Sequence, residues 1–164
     1  MQMCEKCFRI YKLSSFIKTG EIWEPIIEAR LNCINKNCDG ILFEVDELFA
    51  PIMLILNKKG YKTKYCCSGH IKPDEEITYC KKYQKHYKNL EIHSYICFNS
   101  DVIIPNIPKG YRYDKKSSVE DSVTIRRKFN SKKTPTTLLR EIMENTLNVL
   151  EWAEKLENKN EKIS

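Results

Sequence analysis

The sequence predicts an α+β chain: a small cysteine-built module at the front, then a small mixed or antiparallel sheet with one helix before it and a long helix after it. Three observations predict this. Four cysteines fall in two close pairs, Cys4/Cys7 and Cys33/Cys38. At Asp46 the spacing of apolar residues changes from every second position to every third or fourth. From Thr134 onward one broad apolar face is expected to run through Leu138, Ile142, Thr146, Val149, Ala153 and Leu156 together with Leu139, Met143, Leu147 and Leu150. The expected division is residues 1–46 for the module, 47–158 for the α+β body and 159–164 for a disordered tail.

The module comes first. Its segments read as a cysteine turn, a loop, a strand at 26–31, a second cysteine turn, and a strand at 40–45 with Asp39 and Gly40 at the bend. Zinc takes thiolate ligands at tetrahedral corners about 2.3 Å away, and two tight turns that each present a cysteine pair supply them. Cys4-Glu-Lys-Cys7 is one such turn, and Cys33 to Cys38 is a wider one. The arrangement resembles a zinc ribbon over residues 4–45, with Cys4, Cys7, Cys33 and Cys38 holding one Zn²⁺. Four sulfur ligands leave no water position, so the expected role of the metal is structural.

In the body, Leu48, Phe49, Ile52, Met53, Ile55 and Leu56 have helical spacing. Asp46 is the expected N-cap, Pro51 sits near the first turn, and Gly60 takes the left-handed position past the last turn. Strands are expected at 61–67 and 91–98, with Val102, Ile103 and Ile104 as an extension of the second, and another at 122–129. The last helix has Thr134 as its cap and Pro135 at its first position.

Between the first helix and the second strand lies an unusual run, Gly60-Tyr61-Lys62-Thr63-Lys64-Tyr65-Cys66-Cys67-Ser68-Gly69-His70. It resembles a family of small uncharacterised zinc-ribbon proteins of Gram-positive bacteria and their phages that carries this same motif. More distantly, Thr63 and Cys67-Ser68-Gly69 are similar to a turn of the Taw3-type tRNA methyltransferases. The second likeness implies a turn whose backbone N–H groups and Gly69 admit an anionic or nucleotide ligand. Three readings of the residues stay open. Cys66, Cys67, Ser68, Gly69 and His70 form a ligand-binding turn or part of a second metal site, completed by Cys80, His86, His93 or Cys97. Cys67 is a nucleophile activated by His70. Or the cysteines are buried as small apolar groups and Gly69 serves the turn. His93 and Cys97, four apart on one strand face and about 13 Å from each other, cannot both serve one ion.

Charge points to partners. The net +6 is concentrated in residues 57–90 and 109–133, each with nine basic and three acidic residues, so the remainder is acidic. The run at 79–88 interleaves Lys81, Lys82 and Lys85 with Tyr79, Tyr83 and Tyr87, as single-stranded nucleic-acid binders interleave stacking platforms with cations. Arg112, Arg126, Arg127 and Lys128 make the second candidate phosphate-contacting set, the alternative being a charged strand edge that resists aggregation. No run of eighteen apolar residues and no secretory leader pattern is present, so a cytoplasmic protein without membrane contact is expected. The functional expectation is a non-enzymatic zinc-ribbon protein that binds RNA or single strands. The alternatives are a phage-type module docking on a larger protein, for instance a host defence nuclease, and a Taw3-like enzyme acting on RNA.

Overall fold

The structure, a computed structural model, describes residues 1–12, 16–19, 22–25, 32–69, 92–114, 121–130 and 133–160. It is α+β, and the strand pairs among the described residues are antiparallel. At the front, β1 (Gln2–Cys4) is flanked by β2 (Ile10–Tyr11) and by β5 (Leu42–Glu44). A separate hairpin pairs β3 (Phe16–Thr19) with β4 (Ile22–Pro25) in what the sequence reads as loop. The strand that leaves the second cysteine turn therefore has β1 as its partner. The expected strand at 26–31 lies outside the described residues. Among the described residues, the bridge between Asn32 and Ile41 and the bond from Cys33 N to Gly40 O carry the antiparallel approach into the cysteine turn.

Helix α1 (Ala50–Lys58) follows. Asp46 is not its N-cap: Phe49 holds that position without a side-chain bond, and Asp46 Oδ1 instead accepts from Leu48 N at 3.0 Å in the turn before the helix. Gly60 does take the left-handed position (φ +86°). Its N–H donates to Asn57 O and that of Tyr61 to Leu56 O, with both Tyr61 and Leu56 buried, so the last carbonyls of α1 are satisfied. Asn57 then fastens the helix to the next strand, its Nδ2 donating to Thr63 Oγ1 and its Oδ1 accepting from Thr63 N at 3.1 Å.

The main sheet runs in the order β6 (Thr63–Cys67), β7 (Ile92–Asn99), β9 (Ser122–Phe129), β8 (Arg112–Tyr113). Thus β9 has a neighbour on each side, β8 pairing with it at Arg126 and Ile125. Val102 to Ile104 are not a strand: the chain turns after Asn99, where Val102 N donates to Asn99 O, and these residues bury Val102 and Ile104 while exposing Ile103. Helix α2 (Pro135–Lys155) is capped by Thr134, whose Oγ1 accepts from Thr137 N. Both helices contribute to one core on the same face of the sheet, formed by Ile52, Met53 and Leu56 of α1, Ile96, Phe98 and Ile125 of the sheet, and Val149, Trp152 and Ala153 of α2. Met3 and Val45 belong to this core as well, so the front strands are seated on the body.

The segment after α2 is also docked. Lys59 Nζ donates to the carbonyls of Ala153, Glu154 and Leu156, all in the last turn of α2 or just beyond it. Residues 159 and 160, expected to begin a disordered tail, fold back on α1: Lys159 N donates to Lys59 O, Asn160 Nδ2 to Lys58 O, and the Lys159 ammonium lies over the Tyr61 ring. No described helix is long and apolar enough to cross a membrane.

Candidate metal centre and sheet face

The two cysteine pairs converge. Cys4 ends β1, its amide taking part in the turn that brings Cys7 back, and Phe8 closes that turn in the left-handed region (φ +57°) with its N–H donating to Cys4 O. The second turn is closed by Cys38 N donating to Asn35 O and by Cys33 N donating to Gly40 O. All four Sγ atoms lie within 4.8 Å of one another, and the pairs Cys4–Cys38 and Cys7–Cys33 stand 3.6 Å apart. That is far longer than a disulfide and close to the edge of about 3.8 Å of a tetrahedron whose corners lie 2.3 Å from a metal. The cluster could hold a metal ion.

The surroundings fit a cation at the centre. Cys4 is fully buried, which pushes its thiol up to about 12, yet its Sγ accepts from the backbone N–H groups of Lys6 (3.4 Å) and Cys7 (3.5 Å), bonds that favour the thiolate. A bound cation resolves the conflict by replacing the proton. Cys33 is drawn down to about 7, chiefly by the Tyr11 hydroxyl 3.3 Å away. The wall is tight: a Cβ on Gly40 would stand 2.6 Å from Cys4 Sγ, so only glycine leaves room for the sulfur. Lys6 and Asp39, one on each cysteine turn, form an exposed ion pair at 2.7 Å that joins the turns outside the cluster. Sequence reasoning missed Tyr11 and Gly40 as neighbours of the site. Tyr11 stands four residues beyond Cys7 and Gly40 two beyond Cys38, and closeness to a ligand was their only signal.

The Cys66 to Gly69 turn is occupied by the fold. Asp46 N donates to Cys66 Sγ, and Asp46 Oδ2 accepts from both Ser68 N (3.1 Å) and Ser68 Oγ (3.0 Å). Gly69 is buried with φ +102°, and a Cβ there would meet Phe129 Cε2 at 3.1 Å. Burial raises the thiols of Cys66, to about 12, and of Cys67, which is the opposite of an activated nucleophile. His70, Cys80 and His86 lie outside the described residues, and among the described residues the N-terminal quartet is the one metal-competent cluster.

No protein-family model, curated protein or solved structure matches this chain. Its chemistry must be read from its own surfaces.

Strand register sorts the basic residues. Directly paired residues share a face, and faces alternate along a strand. Ser94 pairs with Arg127 and Ile96 with Ile125 on the helix side. There Arg127 Nη1 donates to Asn145 Oδ1 of α2 at 3.0 Å, and Asn145 Nδ2 donates to Ser94 Oγ and to the Tyr111 hydroxyl, in a buried polar knot. Arg127 therefore does not share a surface with its neighbours in sequence. On the other face Cys67, Tyr95, Arg126 and Arg112 form a row across all four strands, and Lys128 pairs with His93 one row away. Arg126 Nη2 meets Asp114 Oδ2 at 2.8 Å, and its guanidinium lies 5.7 Å from the centre of the Tyr95 ring. This face buries Cys97 and Thr124 at its middle and exposes Tyr65, Arg112 and Lys128 around them. Lys81, Lys82, Tyr83 and Lys85 lie outside the described residues.

Proposed function

We propose that this protein is a zinc-ribbon protein whose metal is structural and whose four-stranded sheet binds single-stranded nucleic acid. The observation that carries the proposal is the placement of Arg112 directly opposite Arg126, with Lys128 one row away and Asp114 as the ion-pair partner of Arg126. Like charges facing each other across a strand pair cost stability. Asp114 offsets that cost at Arg126, and a ligand with several phosphates would answer the exposed Arg112 and Lys128. Tyr65, half exposed at the edge strand, and Tyr95 in the same row as the arginines supply rings on which bases stack. The Tyr- and Lys-rich run at 79–88 adds the same chemistry in sequence.

Two measurements test this. Elemental analysis of protein purified without chelator should find one zinc per chain, lost in the Cys33→Ser variant. Fluorescence anisotropy with single-stranded RNA and DNA should show binding that weakens with salt, by about 0.7 in log–log slope for each phosphate neutralised. Arg112→Glu with Lys128→Glu should weaken it for all sequences alike, whereas Tyr65→Ala should remove roughly 1–3 kcal/mol. A folded, metal-loaded protein that binds no nucleic acid at low salt would overturn the reading in favour of a protein partner.

A further inference from the structure

Three large apolar side chains of α2 face solvent: Leu139, Met143 and Leu147, exposed by 52, 47 and 59%. They recur every fourth residue, so they form one continuous ridge about 12 Å long on the flank of the helix, each step turned by about 40°. The helix needs none of them for its own core, which is filled by Leu138, Ile142, Val149 and Ala153 from the adjoining face. Among the described residues no other exposed apolar side chains line up in this way.

We infer that the ridge is a self-association surface on which α2 of a second copy packs antiparallel. The charges beside it choose the partner. Exposed Arg140 and Glu144 lie on one flank of the ridge, about one turn apart. In a two-fold antiparallel pair each flank meets its own equivalent from the other copy, with the chain direction reversed. With the two-fold axis level with residue 142, midway between them, Arg140 of each copy comes level with Glu144 of the other, twice, and the two Glu144 residues stand about 6 Å apart along the helix. A parallel pair would instead set this flank against the one carrying Thr146 and Leu150, where no charge answers Arg140. Ridges of i±4 spacing interlock at a crossing angle of about −50°, which confines the contact to these central turns. Three side chains and their flanks cover well under the about 800 Å² per partner of a standard interface, so the dimer is weak and concentration-dependent. The inference does not rest on nucleic-acid binding.

Sedimentation equilibrium of the full-length, metal-loaded chain over a wide concentration range tests it. The weight-average mass should rise toward that of two chains. Leu147→Glu, at an exposed position that leaves the core intact, should hold the protein at the monomer mass with an unchanged circular dichroism spectrum. Arg140→Glu should weaken the dimer about tenfold, and the double variant Arg140→Glu/Glu144→Arg should restore it. A monomer at every concentration would overturn the inference and leave the ridge to a different protein. So would a dimer that persists in Leu147→Glu, or a charge swap that fails to restore association.

Discussion

Gly69 sits where backbone and packing make the same demand. Its φ of +102° is one that side-chain-bearing residues avoid, and the space where a Cβ would go is bounded by Phe129, Ile92 and Ile142. Gly69→Ala should cost about 1–3 kcal/mol, measured as the shift of a denaturant midpoint at unchanged slope. A midpoint within error of the parent protein would mean that the turn relaxes freely. The glycine, like the four cysteines, was legible in the sequence because its residue type has few other uses at such a place. Asp46 was not: a carboxylate before a helix reads as a cap, and only the tertiary fold brings Ser68 within its reach. Arg127 was misplaced with Arg126 and Lys128 for a related reason, since neighbours in a strand lie on opposite faces and a run of like charges hides the alternation.

Among the elements, α2 ends on a cation just past the end of α1. Its last carbonyls have no intrahelical donors, and Lys59 supplies a positive group to three carbonyls at the negative end of the helix dipole. Lys59→Met keeps the aliphatic stem and removes the donor. It should destabilise by roughly 1 kcal/mol and raise amide exchange in residues 153–160 before the rest of α2. Uniform exchange along α2 would show that the lysine does not hold this end. The helices and β9 were legible because each carries a long period or a cap with a definite chemistry. β1 and the β3–β4 hairpin were not, since strands of three or four residues are too short to display alternation. Val102 to Ile104 misled in the other direction: β-branched residues suit a strand, but the chain turns away from the sheet before they can pair.

Across the whole molecule, the front strands and the body share a core through Met3 and Val45. A metal-free protein should therefore lose stability as a unit. Chelation, or Cys33→Ser, is expected to lower the thermal midpoint of the full chain and to reduce protection in β7 and β9 as well as in residues 1–12. Protection lost in residues 1–12 alone would show that the module melts independently. The burial of Cys4 has a further consequence, one of rates. Its neighbour Met3 is packed in the core and its own sulfur has no solvent exposure, so a chelator cannot reach that ligand while β1 stays paired. Cys7, Cys33 and Cys38 are partly exposed, so a chelator can take those ligands first, and the loss of the last one, Cys4, should then proceed at the pace of strand opening, which more chelator does not raise.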